Sequence, residues 1–295
     1  VGTDLGTVRL VNTGNATFGG AVDAVNLVVD SVEAGSSLRF TGNTNVGTDF
    51  SLAAGAYDLR MTGGVNTLGN VPLVLSNTGL VELGDQGTDV FAMGGLIVTA
   101  ASAIEVAGTF NVGGALTLGD NDTAVTLEGN TVFDTAQANG AIVLGNVVEP
   151  DTAGAYSLRL RSGTADITLD GSIGSTRHLA ELVIENTSGT TTIKGDLTAS
   201  DLISLGSETT LVGDRVLTAD EIDFVQGLTA DAAGQSLTLT AFTDDLDILL
   251  GGNVNTDANS LDLTFGDLSR LGTSFASVVI GNGTPDASVR GDVPV

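Results

Sequence analysis

Apolar residues in this chain come in short alternating units, with a polar residue held between two apolar ones. In the second half these include Ile167-Thr168-Leu169, Ile203-Ser204-Leu205, Ile222-Asp223-Phe224, Leu237-Thr238-Leu239 and Leu261-Asp262-Leu263. The first half repeats the pattern at Leu38-Arg39-Phe40, Leu59-Arg60-Met61, Ile104-Glu105-Val106, Leu116-Thr117-Leu118 and Val125-Thr126-Leu127. Alternation of this kind sends the central residue to one face of a strand and its neighbours to the other. The units are three to five residues long and helical periodicity is nearly absent, so the chain is expected to be all-β.

Successive strand centres in the second half are mostly ten to nineteen residues apart. Two or three strands per coil then give a repeat of roughly 20–25 residues, in the range of solenoids. The expected fold is a parallel, right-handed β-solenoid, or β-helix, of roughly 12–15 coils, forming a rod ~60–70 Å long at ~4.8 Å between stacked strands. Paired glycines at Gly19-Gly20, Gly63-Gly64, Gly94-Gly95, Gly113-Gly114 and Gly251-Gly252 are expected to turn the corners with positive φ. A β-sandwich or barrel is the competing all-β reading. It requires longer strands, hairpin turns and large core aromatics, whereas Asn-Gly occurs only at Asn139-Gly140 and Asn282-Gly283. Residues 1–295 read as one continuous solenoid with a soft boundary at 147–155. A short helical excursion is expected at 267–275, where Leu268, Leu271 and Phe275 fall at helical spacing behind an Asp267 N-cap.

Composition sharpens this picture. The 295 residues include 41 Gly and 4 Pro but no Trp or Cys, and aromatics are 4%, so the core is built of Val, Leu, Ile and Ala. Ten Lys+Arg stand against 36 Asp+Glu, a formal charge of −26. That balance argues against nucleic acid and anionic membranes as partners, since both require Lys and Arg. No apolar run approaches the roughly 18 residues of a membrane span. The lack of Cys excludes disulfides, thiolate metal sites and a Cys nucleophile, and points outward, to an extracellular or cell-surface setting. The sequence starts at Val1 without Met, basic n-region or apolar h-region, and reads as a processed product or an excised segment.

Several stretches carry a family resemblance. Leu217-Thr218-Ala219-Asp220-Glu221-Ile222-Asp223-Phe224, Leu237-Thr238-Leu239-Thr240, Asp247-Ile248-Leu249-Leu250-Gly251-Gly252 and Phe275-Ala276-Ser277-Val278-Val279-Ile280-Gly281 resemble a segment of giant bacterial exoproteins of the filamentous-haemagglutinin-like class. Ala16-Thr17-Phe18-Gly19-Gly20-Ala21-Val22 is similar to their tandem repeats. The likeness is one of repeat texture, closest over 217–281. It implies a secreted, very long right-handed β-helix on a cell surface, used for adhesion, matrix or sheath. The secretion domain of that class has no counterpart in this sequence.

Candidate chemistry rests on the acids. Asp120-Asn121-Asp122, Asp220-Glu221-Ile222-Asp223 and Asp244-Asp245-Leu246-Asp247 are the clusters. Asp120, Asp122, Asp245 and Asp247 are the candidate calcium ligands, because Asp-x-Asp in a turn brings hard oxygens together. The competing reading is solvated turn acids, and neither the nonapeptide calcium roll nor an EF-hand loop is present. Paired carboxylates would equally serve a polysaccharide lyase or hydrolase. His178 is the only His, and no Gly-x-Ser-x-Gly elbow accompanies it for a Ser-His-Asp triad. Glycine pairs precede strands rather than helices, so no phosphate cradle is expected. Thr-x-Thr is absent from most coils, which argues against an ice-binding face. No catalytic residue and no cofactor beyond calcium is assigned. The expected role is a non-catalytic structural or adhesive module. Its partners are other copies or adjoining segments of the same protein, stacked end to end, with a surface glycan as the second candidate. The alternatives are a ligand- or carbohydrate-binding solenoid and a polysaccharide lyase or hydrolase.

Overall fold

The computed structural model describes residues 4–244, 246–252, 260–281 and 289–291. Its strands stack in parallel as a β-solenoid of about 11 turns, fewer than the 12–15 expected. Some turns are longer than the predicted repeat. Arg60 meets its neighbour Glu82 at a separation of 22 residues, but Arg159 meets Glu185 at 26 and Arg161 meets Asp134 at 27. The extra length lies in corner loops such as 135–139 and 151–155.

Each turn visits three faces. One turn runs through Gly95–Val98 on the first face and then enters Ala103–Val112. That long strand bends where its register shifts between Val106 and Gly108, so its two halves lie on the second and third faces. Leu116–Leu118 then returns to the first face, above Gly95–Val98. The first face contains eight parallel strands from Pro72–Leu75 to Leu228–Ala230, and the other two faces belong to a 19-stranded sheet. Within 147–155, Val148–Pro150 is a strand of the stack, paired with Val125–Asp134 and with Val148 fully buried, and 151–155 is the corner loop that follows it.

The triplets of the sequence become ladders. Leu96, Leu116, Ile142 and Ile167 are in register and point inward, as do Val98, Leu118, Leu144 and Leu169 one step along; all are fully buried. The residues between them, Ile97, Thr117, Val143 and Thr168, face outward. Stacking makes rings overlap as well. Phe18 and Phe40 lie face to face with centroids 4.7 Å apart, and Phe91 and Phe110 at 4.8 Å. These distances equal the inter-strand spacing, so each ring pair spans one rise of the coil. Two turns replace the aliphatic filling with hydroxyls: buried Thr191 and Ser207 hydrogen-bond at 2.6 Å, and Thr209 donates to the Ser207 carbonyl at 2.9 Å.

The corner glycines have a different cause from the one expected. Of the five predicted pairs, only Gly251 adopts positive φ. Gly63, Gly94 and Gly114 are instead required by contact between turns, whereas Gly19 has nothing within 4 Å. A Cβ on Gly94 would lie 2.1 Å from the Asn70 carbonyl oxygen, and one on Gly140 would lie 1.9 Å from that of Gly114. Backbones therefore stack in direct contact at this corner.

The helix begins earlier than predicted, at Phe265–Arg270. Thr264 is its N-cap, and Asp267 is the third helical residue, closing a capping box. Asp267 is buried because it also accepts from the Phe224 amide at 2.9 Å. Ser274 accepts from the Ala230 amide at 2.8 Å, and the Leu228 carbonyl accepts from Gly272 at 2.8 Å. The excursion thus satisfies backbone groups of strands on the first and third faces. The second face continues past it through Ser277–Ile280 against Ser236–Thr240.

If corner contact is what demands glycine, Gly140→Ala will lower the unfolding free energy, read by denaturant titration, by clearly more than the about 1 kcal/mol typical of a point substitution. Gly6→Ala, where a Cβ meets nothing within 4 Å, will leave it unchanged. Equal effects at both sites would refute the contact explanation.

Candidate functional site: two outward faces of the rod

Outward side chains at equivalent strand positions are stacked like the inward ones, so chemistry on this rod is organised in columns. On the second face, register places Arg39, Arg60, Glu82, Glu105, Thr126 and Glu149 in one column. Arg60 donates through Nη1 to the buried carboxylate of Glu82. Glu149 is also buried and accepts from the Ser175 hydroxyl at 2.8 Å and the Thr176 amide at 2.9 Å, so it holds down the following corner loop. Burial raises the Glu105 carboxyl above its ordinary value, reinforced by Glu82 and opposed by Arg60. Glu128 is pushed up to about 7, first by burial and then by the charges of Glu105, Glu82, Asp151 and Asp85. A carboxyl that holds its proton near neutral pH beside ionised carboxylates is the electrostatic pattern of a general acid.

The second feature runs along the corner between the third and first faces. Thr67, Ala92, Asn111, Asp134, Arg161 and Glu185 form one outward column there. Three cavities of about 410, 360 and 240 Å³ follow it in sequence. The first two share Asp134 and Gln137, and the last two share Asn186 and Thr187, so together they form one groove parallel to the rod axis. It reaches from Thr67 to Gln226, across the strands from Val65–Leu68 to Glu221–Phe224, a span of about 33 Å at the normal strand spacing. The corner loop 135–139 forms part of its wall. Asp134 Oδ1 accepts from the Ala136 amide at 2.9 Å, the Thr135 hydroxyl donates to the Arg161 carbonyl at 3.2 Å, and Asn139 Oδ1 accepts from the Thr164 amide at 3.0 Å. Arg161 lies between two carboxylates, with Nε 2.6 Å from Glu185 Oε2 and Nη1 3.3 Å from Asp134 Oδ2. Arg159 reaches the other oxygen of Glu185 at 3.1 Å. Both arginines remain nearly half exposed, so the network is fixed in geometry yet open to water.

The predicted metal ligands lie elsewhere. Asp120 and Asp122 are exposed in the loop after Leu116–Leu118. Asp120 Oδ1 closes that loop by accepting from the amides of Asp122 and Thr123, at 3.0 and 3.1 Å. Asp247 is half-buried at the start of Asp247–Leu250, several turns further along. Asp245 lies outside the described residues. Among the described residues, no group of three or more His, Asp or Glu side chains is placed to hold a metal ion. His178 packs its ring on Phe242, with centroids 4.3 Å apart. No helix among the described residues is long and apolar enough to cross a membrane.

Consecutive acids were the wrong signal for these columns. The useful one was the polar residue at the centre of triplets about one turn apart, as at Leu59-Arg60-Met61, Val81-Glu82-Leu83 and Ile104-Glu105-Val106. The groove had no such signal, since its walls are corner loops of unequal length. No protein-family model, no curated protein and no solved structure matches this chain.

Because Glu128 titrates at about 7 in the rod and at its ordinary 4.5 when unfolded, the folded state holds the proton more tightly. Its contribution to stability is complete below about pH 4.5 and is lost as pH rises through about 7. Glu128→Gln is therefore expected to unfold at a higher temperature than the parent chain at pH 8 and at a similar one at pH 4. Parallel pH profiles for the two proteins would show that the raised value is wrong.

Proposed function

We propose that the chain is a non-catalytic structural and adhesive module of a long extracellular protein or fibre of the filamentous-haemagglutinin-like kind, joined end to end to neighbouring solenoid. The observation that carries this reading is the parallel stack of about 11 turns, with apolar ladders inside and acidic side chains outside. Leu5–Leu10 pairs with Val22–Val29, and no second partner strand lies along its other edge among the described residues. Val8 and Leu10 are only half-buried there, while their partners one turn inward, Leu27 and Val29, are buried. A strand edge of this kind can pair with a strand of a second copy, which is the contact this reading proposes. The acidic exterior, with a formal charge of −26, supports solubility of the rod's sides and leaves the ends as the favoured contacts. Secretion and surface location follow from this reading and from the resemblance of repeat texture. The calcium reading keeps two separate candidate pairs, Asp120 with Asp122 and Asp245 with Asp247.

One observation favours a second reading, a polysaccharide lyase or hydrolase: Glu128 keeps its proton near neutral pH close to Glu105. Electron microscopy and an activity assay separate the two. The structural reading expects unbranched rods that lengthen with concentration and carry a ~4.8 Å axial repeat. It also expects no new reducing ends or unsaturated products from neutral or acidic polysaccharides. Single-length particles at every concentration would count against end-to-end joining. Product release that disappears in Glu128→Gln would establish the enzyme.

A further inference from the structure

We propose that the corner groove is a binding site for an extended, neutral, hydroxyl-rich polymer: a glycan chain laid parallel to the rod axis. This goes beyond the structural reading and does not depend on it. Three properties of the groove point to such a ligand. Its shape is linear, with three cavities in register over about 33 Å. It therefore fits a chain with a repeating unit rather than a compact molecule. The turn spacing presents a new set of polar groups every ~4.8 Å, of the order of one sugar ring in an extended glycan.

The chemistry of the lining matches hydroxyl groups. Asn111, Gln137 and Gln226 are exposed, and each side-chain amide offers both donors and an acceptor. The Asp134–Arg161–Glu185 network adds acceptors and donors already fixed by their mutual bonds. Engaging this network orders no further side chains within it, which lowers the entropic cost of that part of the contact.

Charge and backbone exclude the main competitors. Arg161 is the one cation among the residues lining the three cavities, against Asp134, Glu185 and Glu208. A polyanion such as a uronic-acid polymer would be repelled, the more so by the overall −26. A peptide would seek a free strand edge or apolar sockets. The wall strands are paired on both sides along the stack, and the apolar lining residues Met93 and Val112 are themselves buried.

The test is calorimetric titration of the intact chain with cellohexaose and mannohexaose, with cellobiose and polygalacturonate as comparisons. The proposal expects at least one hexasaccharide to bind, the disaccharide to bind far more weakly, and polygalacturonate not to bind. Asn111→Ala with Gln137→Ala should weaken hexasaccharide binding by roughly tenfold or more, about 1.4 kcal/mol. Both residues are exposed, so the double variant should keep the parent's unfolding midpoint. Thr168→Ala, on the first face, should bind as the parent does. The proposal is overturned if neither hexasaccharide binds, if only polygalacturonate binds, or if the double variant binds like the parent.

Discussion

The parallel backbone ladder between turns sets every other distance in this molecule. Because each turn hydrogen-bonds to the next at a fixed rise, residues at equivalent positions are forced into contact whatever their chemistry. Aliphatic side chains gain from this and form the inner columns. Phenylalanines gain too, and their rings sit face to face at 4.7 and 4.8 Å. Backbones at the tightest corner tolerate it only without a Cβ. Carboxylates lose by it: Glu128 is held near Glu105 and Glu82, and part of its charge is suppressed in consequence.

The same constraint divides the surface by function. On the second face the column of Arg60, Glu82 and Glu105 is continuous, and its charges perturb one another. On the corner beyond the third face, the column is bordered by loops of different length, which convert a flat sheet border into a groove. The sides and the strand edge of the rod present different groups. The corner groove exposes side-chain amides, and the strand edge at Leu5–Leu10 exposes backbone.

How far the sequence speaks depends on what a residue contacts. Triplets such as Leu116-Thr117-Leu118 announce both strand and orientation, because alternation is a local property. The repeat length was also readable, but not the turn count, since insertions such as 135–139 lengthen individual coils without disturbing the ladders. Gly94 and Gly140 were recognisable as corners, yet their reason is a neighbour one turn away rather than their own φ. Asp267 was expected to begin the helix. Its partner Phe224 is 43 residues away, and that long-range bond, with Thr264 as cap, sets where the helix starts. Glu128 and the groove were invisible for the same reason: their properties belong to stacked turns and not to any one stretch of chain.

The hydroxyl-filled turns around Thr191, Ser207 and Thr209 have a mechanical consequence. In a solenoid each turn touches only its neighbours, so axial tension passes through every seam in series. Most seams here join branched aliphatic side chains or stacked rings. On the first face, the contact between Thr191 and Thr209 joins small polar groups with less dispersion contact, while Ile193 and Leu211 beside it, and Ile203 and Ile222 on the third face, keep the aliphatic filling. The first face is therefore expected to part at this pair of turns before it parts at its all-aliphatic neighbours.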